Sequence, residues 1–259
     1  MNNAFAIAFV CIKELYRRKD FYVLFVLSAL ITLMAGCGSF FHDTSIVRYL
    51  KELCLLLIWI SALIIAVTTA ARQIPAEREQ RTIFPLLAKP VSRWELILGK
   101  FLGCWLATGI ALVLFYVLLG IVSASREHTW PLLNYFQALW MQWAMLGIVI
   151  AMTILGSIVF AAPSSNSTII IVVVLSILFI GGYLHTLALG MVEPSQTITT
   201  VIYFIIPHLE LFDVRDLIVH ERALVPWWAV GADSAYAVAY SFFFLFAAWT
   251  LFRRKALNT

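Results

Sequence analysis

Residues 53–71 read LCLLLIWISALIIAVTTAA, nineteen residues without a charge, bounded by Lys51 and Glu52 on one side and Arg72 on the other. About 20 apolar helical residues cross the hydrocarbon of a bilayer. The run does not alternate apolar with polar residues, as a strand of a membrane barrel would. Five further blocks, at 21–41, 101–122, 132–162, 168–190 and 234–252, share its character. Each is expected to be helical, because the bilayer offers no water to exposed backbone groups. The mean hydropathy of +0.94, with 63% hydrophobic and 12% charged residues, agrees; soluble domains are about half apolar and a quarter charged. The expected fold is an all-α polytopic membrane protein with six transmembrane helices, forming a single domain over residues 1–259.

Before the first span, Phe5, Phe9, Ile12 and Tyr16 recur at helical spacing, followed by Arg17, Arg18 and Lys19. That pattern reads as an amphipathic interfacial helix, with an extended first span as the alternative. It is no cleavable signal peptide, whose positive charge precedes the apolar core. With the N-terminus cytoplasmic, thirteen of the eighteen basic residues fall on the inner side and nine of the fourteen acids on the outer. The positive-inside rule therefore places both termini in the cytoplasm. The net +4 reflects topology and does not indicate nucleic-acid binding.

No Asp, Glu, Lys or Arg lies in the six apolar cores, and His185 stands alone near the outer end of the fifth. Coupled carriers use intramembrane ionisable groups, so the energy for any transport is expected to enter from outside the spans. His42, His128, His185, His208 and His220 are spread over four segments and suggest no metal site. Cys11, Cys37, Cys54 and Cys104 form no CxxC pair. A Cys37–Cys54 bridge is geometrically possible, but small apolar membrane residues are the better reading. Between spans five and six, residues 191–233 mix acids with aromatics and are read as short helices in the outer leaflet. Asn134, Gln137, Trp140, Gln142 and Trp143 are expected to carry the start of the fourth block through the outer interface. PSSNS (163–167) is read as a tight cytoplasmic turn.

The connector after 53–71 holds Arg72, Glu77, Arg78, Glu79, Arg81, Lys89, Arg93, Glu95 and Lys100, nine of the chain's thirty-two charges. Pro75 suits the first turn of a helix, with Glu77 and Glu79 facing its positive end. Pro85 then limits that helix to about two turns. Ser92 and Glu95 match the S-x-x-E capping box and would restart a helix leading into span three. The expectation is a short cytoplasmic coupling helix at 75–84, clamped between two spans and shaped to be pushed by another protein. The plainer alternative, a solvated loop whose charges set topology, leaves Glu77, Glu79 and the capped restart unexplained.

EREQRTIFPLLAKPVSRWELILGKFLG (77–103) resembles the signature of type-2 ABC transporter permeases: an acidic pair, Gly-Thr, leucines, Pro-Val-Ser-Arg, an acid and Gly-Lys. Glu77, Glu79, Thr82, Leu86, Leu87, Pro90, Val91, Ser92, Arg93, Glu95, Gly99 and Lys100 match it, while Arg81 stands where Gly is usual. The amphipathic start, six spans, outer segment and basic tail extend the likeness over most of the chain. The resemblance implies a permease that dimerises, with an identical or a related chain, and binds cytoplasmic nucleotide-binding ATPase subunits. It further implies an exporter in the inner membrane of a bacterium. Pro75, Glu77, Arg78, Glu79, Arg81 and Thr82 would meet the ATPase, with Pro90, Ser92, Arg93 and Glu95 supporting the coupling segment at the interface. The chain itself would be no enzyme and hold no cofactor or metal, ATP being bound by the partner subunit. Consistent with that, its only Gly-Lys pair, Gly99–Lys100, has Trp94 and Phe101 where a P-loop needs Gly and Ser or Thr. Gly99 and Gly103 form a GxxxG expected to pack helices closely. The alternative is a secondary transporter or channel working without an ATPase.

Overall fold

The computed structural model describes residues 3–16, 26, 44–79, 92–127, 132–189, 196–197, 203, 206–219 and 223–255. Six helices of three turns or more account for most of them, and among the described residues there is no β-strand. They are α1 (Asn3–Tyr16), α2 (Thr44–Glu79), α3 (Arg93–Glu127), α4 (Leu132–Val159), α5 (Pro163–Leu189) and α7 (Trp227–Lys255). A single-turn helix, α6 (Asp216–Val219), and a 3-10 turn (Leu209–Phe212) lie in the segment before α7. Among the described residues, four stretches are long and apolar enough to span: Lys51–Pro75, Arg93–Ile121, Leu132–Val159 and Trp227–Arg254. Two of them contain the expected spans at 53–71 and 234–252; the other two cover 101–122 but for its last residue and 132–162 but for its last three, and α5 covers most of the expected span at 168–190. The expected span at 21–41 lies outside the described residues apart from Val26.

α4 is the axis of the bundle. It packs against α2, α3, α5 and α7, and the 3-10 turn and α6 rest on it as well. Its middle is closed on every side, with Met145 through Ala151 buried. Helices in lipid gain little from hydrophobic burial against one another, so close packing and hydrogen bonds must hold them. Hydroxyl groups inside the spans are neutralised locally. Thr68, Thr69, Thr108 and Thr153 each donate to the carbonyl four residues back, at 2.7 Å, which keeps polar groups from competing with packing.

The sharpest helix contact joins α3 to α4 through a repeated pattern, WLATG (105–109) on one and WAMLG (143–147) on the other. The Trp105 and Trp143 rings stack at 4.3 Å with 13° between their planes. Each indole Nε1 donates to the other's backbone carbonyl at 3.0 Å. The antiparallel crossing sets Trp143 against Gly109 and Trp105 against Gly147. A Cβ at Gly109 would stand 2.6 Å from Trp143 Nε1, so only glycine lets the indole in.

α1 packs on α3, with Ala8 buried while Phe5, Phe9 and Val10 stay exposed. An exposed phenylalanine face on a helix flanking a membrane bundle suits an interfacial element. The turn between α4 and α5 falls earlier than the sequence suggests. Residues 160–162 make it, and Pro163 opens α5, where its missing N–H is harmless. Asn166 is therefore not a turn residue. It is fully buried and its Nδ2 donates to Thr153 O at 3.0 Å, pinning the hairpin.

The expectation for the start of α4 also needs correcting. Gln137 and Gln142 do not meet the interface but are buried. Gln137 brackets the backbone of Val225, donating to its carbonyl at 2.9 Å and accepting from its N–H at 3.1 Å. Trp140 Nε1 donates to Ser234 Oγ at 2.9 Å. Satisfying an amide and a carbonyl of irregular backbone this way lets it sit beside the bundle.

Candidate functional site

The ends where α2 finishes, α3 starts and α7 finishes form the proximal face of the bundle; the opposite face is distal. The conspicuous charged cluster of the described chain gathers proximally. Its foundation is the restart of helix at Ser92. Ser92 N–H and Oγ–H both donate to Glu95 Oε2, at 2.7 and 2.9 Å, and Glu95 N–H donates back to Ser92 Oγ at 3.2 Å. This is the reciprocal capping box expected from SRWE, and it fixes the direction in which α3 leaves.

Arg93, set by that cap, reaches across to the end of α7. Its Nη1 donates to Arg253 O at 3.0 Å and Phe252 O at 3.4 Å, and its guanidinium lies 5.9 Å from the Phe252 ring centre. The last four carbonyls of a helix lack intrahelical partners and carry its negative dipole end. A guanidinium there satisfies two of them with charge-assisted bonds. Trp94 adds edge contacts to Phe242 and Trp249 of α7, at 6.0 and 6.3 Å between ring centres.

Lys100, two turns further along α3, holds α2. It is only 4% exposed, and Nζ donates to Gln73 O at 2.9 Å and to Gln73 Oε1 at 3.4 Å. A buried ammonium needs such acceptors to offset its lost hydration. Gln73 precedes Pro75, whose ring removes an N–H and leaves the carbonyl of Ala71 without its helical donor. The Lys100 grip thus sits where α2 is least constrained by its own hydrogen bonds.

The position of Pro75 differs from the sequence reading. It is buried inside α2, which runs unbroken to Glu79; it does not open a separate helix. Glu77, Arg78 and Glu79 are the last turn of α2. At about 1.5 Å per residue its 36 residues measure about 54 Å, well beyond a hydrocarbon core of about 30 Å. The helix that spans therefore also carries the acidic pair. Arg81, Thr82 and Pro90, and the remainder of the expected coupling helix at 75–84, lie outside the described residues.

Gly99 and Gly103 are both buried on α3. Close glycine contacts also occur at Gly109 against Trp143, Gly147 against Trp105 and Gly156 against Asn166. Sequence reasoning passed over Gln73 and gave Gln137 and Gln142 an interfacial place instead of buried partners. A search restricted to charged and titratable groups ignores neutral amides, yet a glutamine within an apolar run carries the same demand for partners. Cys54 and Cys104 are buried in the apolar core, and among the described residues no cluster of three metal-ligating side chains occurs.

The distal segment adds a second polar group. Arg215 pairs with Asp213, Nη2 to Oδ2 at 2.6 Å, and its guanidinium lies 5.7 Å from the Trp59 ring centre of α2. The Tyr236 hydroxyl of α7 accepts the His208 N–H of the turn at 2.9 Å. Leu209, Phe212, Ile218 and Val219 are buried, so the 3-10 turn and α6 are docked into the bundle.

A family model described as ABC-2 family transporter protein matches residues 6–255. No curated protein matches the chain.

Proposed function

The chain belongs to the ABC-2 transporter family, a multi-pass membrane permease, and from that premise we propose that it is the transmembrane subunit of an ATP-driven exporter. Separate cytoplasmic ATPase subunits bind and hydrolyse the ATP. Two permease chains, identical or related, enclose the path. The proximal face is cytoplasmic, as are both termini, and the membrane is the inner membrane of a bacterium.

The observation that supports this reading is the tie between the signature and three helices. Closure of the ATPase pair on ATP presses on 75–84. Because α2 is unbroken to Glu79, force applied at Glu77 and Glu79 enters that helix directly, and Pro75 gives it a place to bend. Lys100 passes the displacement to α3, and Arg93 passes it to α7. A push at one surface therefore reorients α2, α3 and α7 together about the α4 axis.

Gentle detergent purification from the native host tests the partner. A co-purifying nucleotide-binding subunit is expected, and its repeated absence would move the reading to a carrier or channel. The purified chain alone should hydrolyse no ATP. Replacing Glu77 and Glu79 together by Lys should abolish ATPase binding or coupled transport while membrane insertion stays intact. Normal assembly and transport by that variant would refute the coupling role.

A further inference from the structure

The carbonyl end of α7 gathers positive charge that no carboxylate among the described residues balances. Arg93 Nη1 donates to Arg253 O at 3.0 Å, which brings two arginines together at one turn of helix. The Arg253 guanidinium leans back over the Trp249 ring, 5.9 Å from its centre. Trp94, next to Arg93, meets the same ring edge-on at 6.3 Å. Among the described residues neither guanidinium pairs with a carboxylate. The nearest acid in sequence, Glu95, is engaged by the Ser92 cap.

The depth of this cluster follows from α7 itself, whose spanning stretch ends at Arg254. Exposed Trp228 stands near the opposite end, and the rise from Trp228 to Trp249 is about 32 Å at about 1.5 Å per residue. That matches a hydrocarbon core of about 30 Å, so the two tryptophans mark its two boundaries. The surface leading to Trp249 is apolar. Phe246 packs on it at 5.6 Å between ring centres, Phe242 stacks behind Phe246, and both are exposed. A guest here must carry an anion at the boundary and an apolar body below it. Guanidinium forks suit phosphate, which accepts two parallel N–H bonds, and a phospholipid holds phosphate and acyl chains at these depths. The second guanidinium opposes the choline cation of a zwitterionic head, which favours a lipid of net negative charge. An acidic protein surface would have to desolvate its carboxylates against exposed phenylalanine to reach the same level.

We propose that Arg253 and Arg93, at the Trp249 ring, form a binding site for the phosphodiester of an anionic phospholipid. This lies beyond the coupling role and stands whether or not an ATPase binds.

The test equilibrates the full chain in neutral detergent with equal amounts of dioleoyl phosphatidylglycerol and dioleoyl phosphatidylcholine. Lipid retained through detergent exchange is then quantified by mass spectrometry. Phosphatidylglycerol should be retained over phosphatidylcholine by about tenfold or more. Arg253→Gln should lower that ratio roughly fivefold, the worth of one arginine at a lipid surface. Arg254→Gln removes the same charge one residue on, from a side chain that touches neither Arg93 nor Trp249 among the described residues. It should change the ratio less than about twofold, which separates a built site from diffuse attraction. Arg253→Lys keeps the charge and loses the fork; its ratio should fall between wild type and Arg253→Gln, and it carries the comparison if Arg253→Gln does not fold. Equal retention of the two lipids, or equal losses in Arg253→Gln and Arg254→Gln, would overturn the proposal. So would an Arg253→Gln variant that keeps its lipid preference but loses a co-purifying ATPase subunit, since the cluster would then face protein.

Discussion

The two faces of this bundle join helices with different chemistry. Proximally, cations donate to backbone carbonyls: Lys100 to Gln73, Arg93 to Phe252 and Arg253. Distally and along α4, neutral groups do the joining: two indoles exchange bonds between α3 and α4, Gln137 brackets Val225, and Trp140 holds Ser234. Depth and helix polarity explain the division. A charge deep in hydrocarbon is expensive, whereas near the carbonyl ends of α2 and α7 a cation is favoured by the local dipole. The geometry differs as well. The indole pair fills a slot that only glycine leaves open, while long flexible side chains make the proximal ties. Close-packed cores resist continuous deformation, so the indole clamp is the fixed part and the cationic ties are the part able to follow a moving α2.

The strongest way to break that contrast is to fill the slot. Gly109→Val places side-chain carbon where Trp143 Nε1 and Cε2 already stand, at 2.6 and 2.7 Å. The indole is held by its stack and its hydrogen bond and cannot retreat. Overpacking of this kind costs about 3 kcal/mol or more, so the thermal midpoint in detergent should fall steeply. Gly147→Ala meets its nearest atom, Trp105 Nε1, at 3.3 Å and should cost less than half as much. Equal effects at the two glycines would mean the clamp is looser than the contacts suggest.

Removing a proximal tie should do the opposite, leaving the protein folded but uncoupled. Lys100→Met keeps the apolar stem and deletes the donors to Gln73. Charge-assisted bonds are worth about 1.5–3 kcal/mol, enough for roughly a tenfold loss of ATP-driven transport in reconstituted vesicles. The thermal midpoint should move far less than in Gly109→Val. A variant that unfolded without losing coupling in its folded fraction would reverse the assignment of the two faces.

Gln137→Leu tests the distal face more gently. It strands the N–H and C=O of Val225, at about 0.6–2 kcal/mol for hydrogen bonds made inside membranes. The loss should appear as faster amide exchange at 223–226 with little change in global stability. A global shift equal to that of Gly109→Val would show that the bracket, and not the indole pair, anchors the distal face.

The division between the faces also explains what the sequence made legible. Uninterrupted apolar runs identify α2, α3, α4 and α7 because hydropathy is a property of many residues at once. The capping box is legible because Ser92 and Glu95 interact over one turn. Pro75 misleads because the same residue opens some helices and bends others; which applies depends on whether the preceding turns are held, and here Lys100 holds them through Gln73. Gln137 and Gln142 mislead for a related reason. An amide near a span end suits the interface equally well until the partners on another element, Val225 and Tyr116, are known. The Trp-x-x-x-Gly pattern on α3 and α4 was present in the sequence all along. Only the antiparallel crossing of those helices gives the two copies meaning.

The smallest expected effect lies at the capped restart, and it sharpens the proximal half of the comparison. Ser92→Ala deletes the hydroxyl that donates to Glu95 and accepts its N–H. The backbone bond from Ser92 N–H to Glu95 remains available, and Ser92 is exposed, so the stability loss should be about 0.5–1 kcal/mol. Its effect on coupling should nevertheless exceed what that figure suggests, because the cap fixes the first turn of α3, from which Arg93 reaches α7. Ser92→Thr retains the hydroxyl and should restore transport. If Ser92→Ala and Ser92→Thr transport equally well, the cap holds α3 in place without aiming Arg93, and the tie to α7 depends on the Trp94 contacts instead.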